Sequence, residues 1–523
     1  MRFYRALKWI RVVVALVFFL ALGILFVDVT GIFKPWMYDM FTYLQFTPSI
    51  LKFINLATLA AAGFAFVLLI TLLFGRIYCS TICPLGTFQD VLIRLEKKFK
   101  IRKRFTYIRT YNWLRFILLG AGILVLVLGS AVVFSWLDPF GNFGKMTTAF
   151  ARPVLIGLNN IGALILKQFD SYALYHISYK TFNLWPFVFA LIVLVTLILM
   201  TWYRGRLFCN TLCPVGAFLG LVSRFSVFKI KINESECNSC WRCAFDCKAG
   251  CIQAEEKRVD MTRCVGCMNC MTACPKSGIG YKFSWKKNKS QKVPETTGTD
   301  TGKRKFILNT LLFTFGIRGL LKAQDEIVPT KKTTIPEEKT QTVFPPGGKN
   351  IEHFNRFCTS CHLCVSACPT QVLQASFLQY GINGMFQPYL DYHKSFCNYE
   401  CTKCLDVCPN GALLAMPLKE KKLTQLGQVN FIKNNCIVET EGTDCGACSE
   451  HCPTKAVYMV PYKGLYLPEI NQDICVGCGA CEYACPTVPY KAIYVDGNAL
   501  HHKAKKPEGE KMESHLEEDE FPF

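Results

Sequence analysis

The sequence predicts a polytopic α-helical membrane bundle of four spans, with a fifth apolar segment, carrying α+β ferredoxin-like domains for two and for four clusters. Three observations predict it. Long apolar segments fill residues 1–230 and are scarce beyond them. One cysteine motif occurs twice in that apolar half. Of the 29 cysteines, 25 lie after residue 230, in runs with metal-ligand spacing. Cysteine this dense can mean disulfides in a small secreted domain, but the spacings here are those of cofactor ligands. The formal charge of +21 does not indicate nucleic acid. Much of the excess sits beside apolar segments, where it orients a membrane protein.

The spans expected from hydropathy are about 10–32, 53–74, 114–137 and 184–203, each long enough for a hydrocarbon layer of roughly 30 Å. The first is not a cleavable signal, since no small-residue cleavage site follows it. The N-terminus reads MRFYRALKWIR, and the loop 75–115 holds ten Lys and Arg. The segments 33–52 and 138–183 hold few. The positive-inside rule then places the N-terminus, that loop and the chain after residue 203 in the cytoplasm.

The second and fourth spans each run into the same motif. GRIYCSTICPLGTF at 75–88 returns as GRLFCNTLCPVGAF at 205–218. Gly75, Arg76, Cys79, Cys83, Pro84, Gly86 and Phe88 match Gly205, Arg206, Cys209, Cys213, Pro214, Gly216 and Phe218 without a gap, which marks an internal repeat. On a helix, residues four apart share a face, so Cys79 and Cys83 are expected to point together, as are Cys209 and Cys213. Parallel repeats related by an axis along the membrane normal bring the two pairs to one depth. That makes a four-cysteine redox or metal site, or else a pair of turns whose small thiols only pack. Arg76 and Arg206 bias a thiolate there, or anchor the bundle at the cytoplasmic interface. Asp138 and Asp28, at the outer ends of the third and first spans, are candidate proton acceptors or helix-end caps.

After the bundle, residues 231–283 form a cytoplasmic two-cluster ferredoxin. Residues 284–305 read as a linker, 306–322 as the fifth span, 323–350 as a second linker, 351–500 as a four-cluster domain and 501–523 as an acidic, disordered tail. Lys303–Arg304 before the apolar segment is similar to a twin-arginine export signal, which places residues 351–500 outside the membrane. An amphipathic helix on the inner surface is the alternative reading of that segment.

Cys264, Cys267, Cys270 and Cys274, followed by Pro275, make a bacterial ferredoxin run, whose fourth cysteine ligates the neighbouring [4Fe–4S] cluster. Its partner run is Cys237, Cys240, Cys243 and Cys247. One cluster is therefore assigned to Cys237, Cys240, Cys243 and Cys274, the other to Cys264, Cys267, Cys270 and Cys247, with Cys251 as a rival for the last place. Four more runs follow: Cys358, Cys361, Cys364, Cys368; Cys397, Cys401, Cys404, Cys408; Cys436, Cys445, Cys448, Cys452; and Cys475, Cys478, Cys481, Cys485. Adjacent and nested exchange of their fourth ligands both fit. Six quartets mean six [4Fe–4S] clusters, and a seventh centre is open at the membrane cysteines. CTSCH at 358–362 matches a c-type haem site, but haem there strands Cys364 and Cys368. One histidine in the first 230 residues, His176, excludes a bis-histidine haem within this chain. No phosphate loop or dinucleotide fingerprint is visible, so no nucleotide is expected.

The repeated GRxxCxxxCPxG on a four-span bundle, followed by a ferredoxin pair, resembles the NapH-type membrane polyferredoxins. From KRKFILNT through PPGG and the four later runs, the chain resembles the NapG/MauM-type four-cluster ferredoxins, as if the two were fused. The resemblance implies quinol oxidation at an inner bacterial membrane and delivery of electrons outward to a redox protein, a reductase or cytochrome. The partners are then membrane lipid, quinol and that acceptor. Two other functions compete: a cysteine-based metal reductase or binder for metalloenzyme maturation, and a conduit fed by a cytoplasmic donor.

Overall fold

The computed structural model describes residues 2–28, 31–58, 62–99, 105–107, 112–180, 182–283 and 334–507. The expected first linker, the apolar segment with Lys303–Arg304 and most of the acidic tail lie outside them.

Thirteen helices build a layer from residues 2 to 223 among those described. They are α1 (Arg2–Val27), α2 (Pro35–Tyr43), α3 (Phe46–Leu56), α4 (Gly63–Phe74), α5 (Tyr78–Thr81), α6 (Pro84–Lys98), α7 (Asn112–Val127), α8 (Val132–Leu137), α9 (Pro139–Met146), α10 (Arg152–Lys167), α11 (Leu184–Arg204), α12 (Leu207–Thr211) and α13 (Pro214–Ser223). A π-helical turn, Thr147–Ala151, welds α9 to α10.

Among the described residues, three helices are long and apolar enough to cross a membrane: Arg2–Val27, Pro139–Lys167 and Leu184–Arg204. This corrects the expected spans. The segment 53–74 is broken, because Ala57 turns left-handed at φ 50° and closes α3. What remains, α4, rises only about 18 Å. Gly129, at φ 92°, ends α7 and breaks the segment 114–137. The third long helix lies where an outer loop was expected. Asn142, Lys145 and Arg152 lower its hydropathy, yet all three are buried against neighbours, so their polarity does not disqualify the helix.

Two ferredoxin domains cap opposite ends of this layer. In the first, β1 (Phe228–Ile232) pairs antiparallel with the strand Ile279–Phe283, and the hairpin Ile252–Gln253/Arg258–Val259 lies between them. The second spans 334–507. It holds the antiparallel pairs Leu373–Ala375 with Pro388–Leu390, Val457–Tyr462 with Leu465–Ile470, and Thr424–Phe431 with Ile493–Lys503. Its limits correct the expected ones. Residues 334–350 are packed, not a linker: Phe344 is fully buried and Gln341 N–H donates to Asp496 Oδ1 at 2.8 Å. The last strand carries the domain past residue 500.

Contacts along α1 fix the separation of the two domains. Lys8 Nζ donates to Thr272 of the first domain at 3.3 Å. Phe26 packs against Gly144, where an added Cβ would lie 2.2 Å from the Cys361 carbonyl oxygen of the second domain. Eighteen residues of helix part Lys8 from Phe26, a rise of about 27 Å. That is close to the thickness of a bilayer's hydrocarbon core, roughly 30 Å.

Candidate metal centres

The ferredoxin runs fold as ligand cradles. In each of the four runs with two-residue gaps, the residues flanking the second cysteine have positive φ: Ser239 and Trp241, Gly266 and Met268, Ser360 and His362, Gly477 and Gly479. Left-handed backbone at ordinary residues costs energy and turns successive N–H groups inward as an anion-binding nest. The Gly477 N–H, for example, lies 3.4 Å from Cys475 Sγ as donor.

Four cavities show how the cysteines group. Cys237, Cys240, Cys243 and Cys274 line one. Cys247, Cys264, Cys267 and Cys270 line the next, together with Cys251. Cys251 Sγ is 3.5 Å from Cys247 Sγ, so both remain within reach of that site. Cys358, Cys361, Cys364 and Cys408 line the third, and Cys452, Cys475, Cys478 and Cys481 the fourth. The remaining eight form two further groups. Burial pushes the Cys404 thiol up, and Cys397, Cys368 and Cys401 push it further. Cys448 is pushed up to about 12 by burial and by Cys445, with Cys485 and Cys436 also near. In the two cavities of the second domain, Cys408 and Cys452 thus lie with the cysteines of the adjacent run, the arrangement expected if adjacent runs exchange their fourth ligands. All six groups are thiol-lined and suit a four-thiolate cluster.

The groups form a succession. The cavity of Cys358 abuts the helical layer through Gly141 and Gly144 of α9. Farther out, Cys397 N–H donates to the Cys478 carbonyl at 2.9 Å, joining the two dicluster halves.

The four cysteines of the repeat sit between the domains, and not as expected. Cys79 and Cys83 do not share a helix. Proline disfavours α-helical backbone at the residue before it; Cys83 is extended (φ −69°, ψ 117°) and is the N-cap residue of α6, and Cys213 takes the same place in α13. Gly75 and Gly205, both at positive φ, close α4 and α11 just before the turns that carry the cysteines. The hairpin α2–α3 also reaches these turns. Its tip meets the first turn: Gln45 Nε2 donates to Ile82 O at 3.2 Å and Phe46 N–H to the Tyr78 hydroxyl at 3.2 Å.

The two turns embrace through their arginines. Arg76 donates to Cys209 O at 3.0 Å and to Asn210 Oδ1 at 2.9 Å. Arg206 donates to Cys79 O and pairs with Asp90. Both arginines are fully buried. Gly86 and Gly216 make the approach possible, since a Cβ on either would lie 2.2 Å from the Cys79 or Cys209 carbonyl. Burial alone would raise the Asp90 carboxyl, but Arg206, Lys248 and Arg11 outweigh it and hold it well below the usual range. Asp90, Gln89, Lys248 and Arg11 escaped sequence reasoning. Repeat comparison hides Asp90, because the second repeat has Gly220 there, opposite Arg115.

Asp138 caps α9, accepting from Gly141 N–H at 2.7 Å. Burial raises its carboxyl to about 6, although Thr47, the Gly141 N–H and Lys145 oppose the rise. Asp28 accepts from Gly31 N–H and from the Tyr38 hydroxyl at 3.0 Å.

One further triad, Glu337, His393 and Glu482, places its ligand atoms within 4.8 Å of one another. Lys339 Nζ stands 2.5 Å from Glu482 and 3.3 Å from Glu337, where a metal cation would sit. The triad is an ion-pair network.

Fold and cavities together define a polyferredoxin, an iron–sulfur electron carrier with several cluster-binding domains. Family models agree: a 4Fe-4S binding domain matches residues 56–102 and 186–233, and 4Fe-4S dicluster domains match 256–369, 357–413 and 442–488. The match over 256–369 joins the second run to the third, whereas the cavities join the second to the first. The chain is 30% identical over 159 residues to the methylamine utilization ferredoxin-type protein MauM of Methylophilus methylotrophus, covering 29% of this chain and 69% of MauM. It is 28% identical over 154 residues to the ferredoxin-type protein NapF of Escherichia coli K12, 29% of this chain and 85% of NapF. It is 26% identical over 221 residues to the uncharacterized protein MJ0750 of Methanocaldococcus jannaschii, 42% and 78% of the two chains. The chain belongs to the family of ferredoxin-type proteins that includes MauM. No solved structure matches it.

Proposed function

We propose that the chain is a membrane-embedded electron conduit joining a cytoplasmic ferredoxin, residues 231–283, to an outer one, residues 334–507. The observation that supports this best is their position at opposite ends of one helical layer with four buried cysteines between them. The six cysteine groups hold six [4Fe–4S] clusters, and each such cluster, when bound, accepts and releases single electrons. Cys240, exposed at the inner end, marks where electrons arrive. The group of Cys436, farthest along the succession, marks where a reductase or cytochrome takes them. The bundle lies in an inner bacterial membrane. Trp9, Val13, Val17 and Leu20 of α1 and Ile192 and Leu199 of α11 are exposed and apolar, as lipid-facing side chains are. Residues 1–283 act on this reading as a NapH-type module and the remainder as a NapG/MauM-type one.

A second reading has quinol as the donor, making the chain a quinol dehydrogenase. Asp138 favours it: a buried carboxyl, raised toward neutral pH, at the N-terminus of α9, whose Gly141 and Gly144 abut Thr359 and Cys361. Such a group can take a quinol proton. A quinol analogue added anaerobically to oxidised protein distinguishes the two. Bleaching of the clusters that Asp138→Asn abolishes supports the quinol donor. Bleaching by a reduced soluble ferredoxin but not by quinol supports the cytoplasmic donor.

A further inference from the structure

We infer that Cys79, Cys83, Cys209 and Cys213 hold one shared iron–sulfur cluster, a seventh centre lying between the two ferredoxin domains. The inference rests on the conduit reading for its role, but on the site's own chemistry for its existence.

The first argument is stoichiometric. Each half of the chain that matches a 4Fe-4S binding domain contains only two cysteines, Cys79 and Cys83 in 56–102, Cys209 and Cys213 in 186–233. Neither half can supply four thiolates. The arginine exchange brings the halves together: Arg76 Nη2 lies 3.8 Å from Cys79 Sγ while it bonds the Cys209 carbonyl. Cys213 Sγ accepts from Gly216 N–H at 3.3 Å, and a Cβ on Gly216 would lie 2.9 Å from Nη2 of Arg76 in the first half.

The second argument is charge. Arg11, Arg76, Arg115, Arg206 and Lys248 are all at least 95% buried around these turns, and the buried carboxylate among them is Asp90. Five buried cations face one buried carboxylate, with the partly buried Asp260 beside Arg115, so a positive excess remains, which is costly inside a protein. The N-termini of α6 and α13 add positive ends of helix dipoles at Cys83 and Cys213. Four thiolates around an iron–sulfide core are net negative and offset part of that excess.

The third argument is a spare donor. Gln89 Nε2 is buried without a partner, while Gln89 Oε1 faces Cys209 Sγ at 3.4 Å. Amide orientation is assigned from the surrounding network. Rotated by half a turn, the amide would donate to a Cys209 thiolate.

Iron is the metal that the chain's six other thiol groups suit, and both halves that carry these cysteines match a 4Fe-4S binding domain. In the conduit, a cluster held here would stand between the one held by Cys264, Cys267 and Cys270 and the one held by Cys358, Cys361 and Cys364, and would relay single electrons between them with no bond formed or broken.

The test is iron and acid-labile sulfide per full-length chain, purified anaerobically, with electron paramagnetic resonance of the reduced protein. Six [4Fe–4S] clusters account for about 24 irons. The inference expects two or four more, with an extra spin signal, and Cys79→Ser/Cys209→Ser should lose only that excess. Iron at about 24 with no extra signal overturns it, as does one equivalent of copper or zinc in place of the excess. Should the serine variant lose all its iron through misfolding, the wild-type iron and spin count still decides. Excess iron without electron passage between the domains sinks the conduit and leaves the site. Passage without excess iron does the reverse.

Discussion

Arg76 of the first repeat donates to the carbonyl of Cys209 in the second, and Arg206 of the second donates to the carbonyl of Cys79 in the first. The repeat is thus locked by exchange, each half completing the other's turn. Arg206 also ties the pair to Asp90, which Arg11 reaches at 3.5 Å and Lys248 at 3.2 Å.

Asp90→Asn therefore leaves three buried cations without their carboxylate. Breaking a buried pair by removing one partner costs about 3–5 kcal/mol. Thermal unfolding in detergent should show a large fall in midpoint. Lys97 pairs with Asp246 on the exposed surface of the same region, and Lys97→Gln should change the midpoint little. Equal effects from the two variants would contradict the network.

Ligand exchange between adjacent runs gives a counting experiment. Cys358 and Cys408 line one cavity, whereas Cys368 lies with Cys397, Cys401 and Cys404. Cys358→Ser/Cys408→Ser should cost one cluster, about four irons, and Cys358→Ser/Cys368→Ser two clusters, about eight. The opposite order would mean that each run keeps its own fourth cysteine.

The outer domain meets the layer through a glycine. A side chain at Gly144 would strike the Cys361 carbonyl at 2.2 Å and the Phe26 ring at 2.5 Å. Gly144→Leu should undock residues 334–507 while both parts stay folded. A disulfide engineered between Asn55 and Gly411, now joined by a 2.7 Å hydrogen bond, should form in the parent protein and fail in the variant. Efficient formation in both would show that the contact at Gly144 is dispensable.

The pH response of the outer domain should follow His393 and the groups facing it, Glu337, Glu482 and Lys339. Its hydrogen bond to Glu337 raises His393 above its ordinary 6.5 against the opposing effect of burial, with Glu482 helping. The stability it adds is full below pH 6.5 and is lost as pH rises through the folded value. Burial opposes ionisation of Glu337, but His393, the Lys491 N–H and Lys339 hold it down to about 2. Its contribution is present above pH 4.5 and is lost as pH falls toward 2. Both operate between about 4.5 and 6.5. His393→Gln should lower the unfolding midpoint at pH 6 and leave it unchanged at pH 9. An equal deficit at both would assign His393 a packing role alone.

Much of this was legible in the sequence, because thiolate spacing is local. A run such as Cys264 to Cys274 carries its own geometry, and the pairing with Cys237 to Cys247 followed from its spacing. The membrane half was less legible. Hydropathy reads Lys145 and Arg152 as loop residues, because it has no knowledge that Ser135 and Ser366 receive their hydrogen bonds. Helical periodicity put Cys79 and Cys83 on one face, whereas α5 ends at Thr81 and Pro84 disfavours helical backbone at Cys83. Asp90 could not be found by repeat comparison, since its counterpart is Gly220. Its worth depends on three cations brought from α1, from the second repeat and from the first ferredoxin.

The central claim is that electrons cross the layer from one ferredoxin domain to the other. The most direct test reconstitutes the full chain in sealed vesicles, oriented with residues 231–283 outward, and adds a membrane-impermeant reductant outside without quinol. The account expects bleaching of all the cluster absorbance, including that of residues 334–507 in the lumen. Bleaching that stops at about one third, the share of two [4Fe–4S] clusters among six, would contradict it.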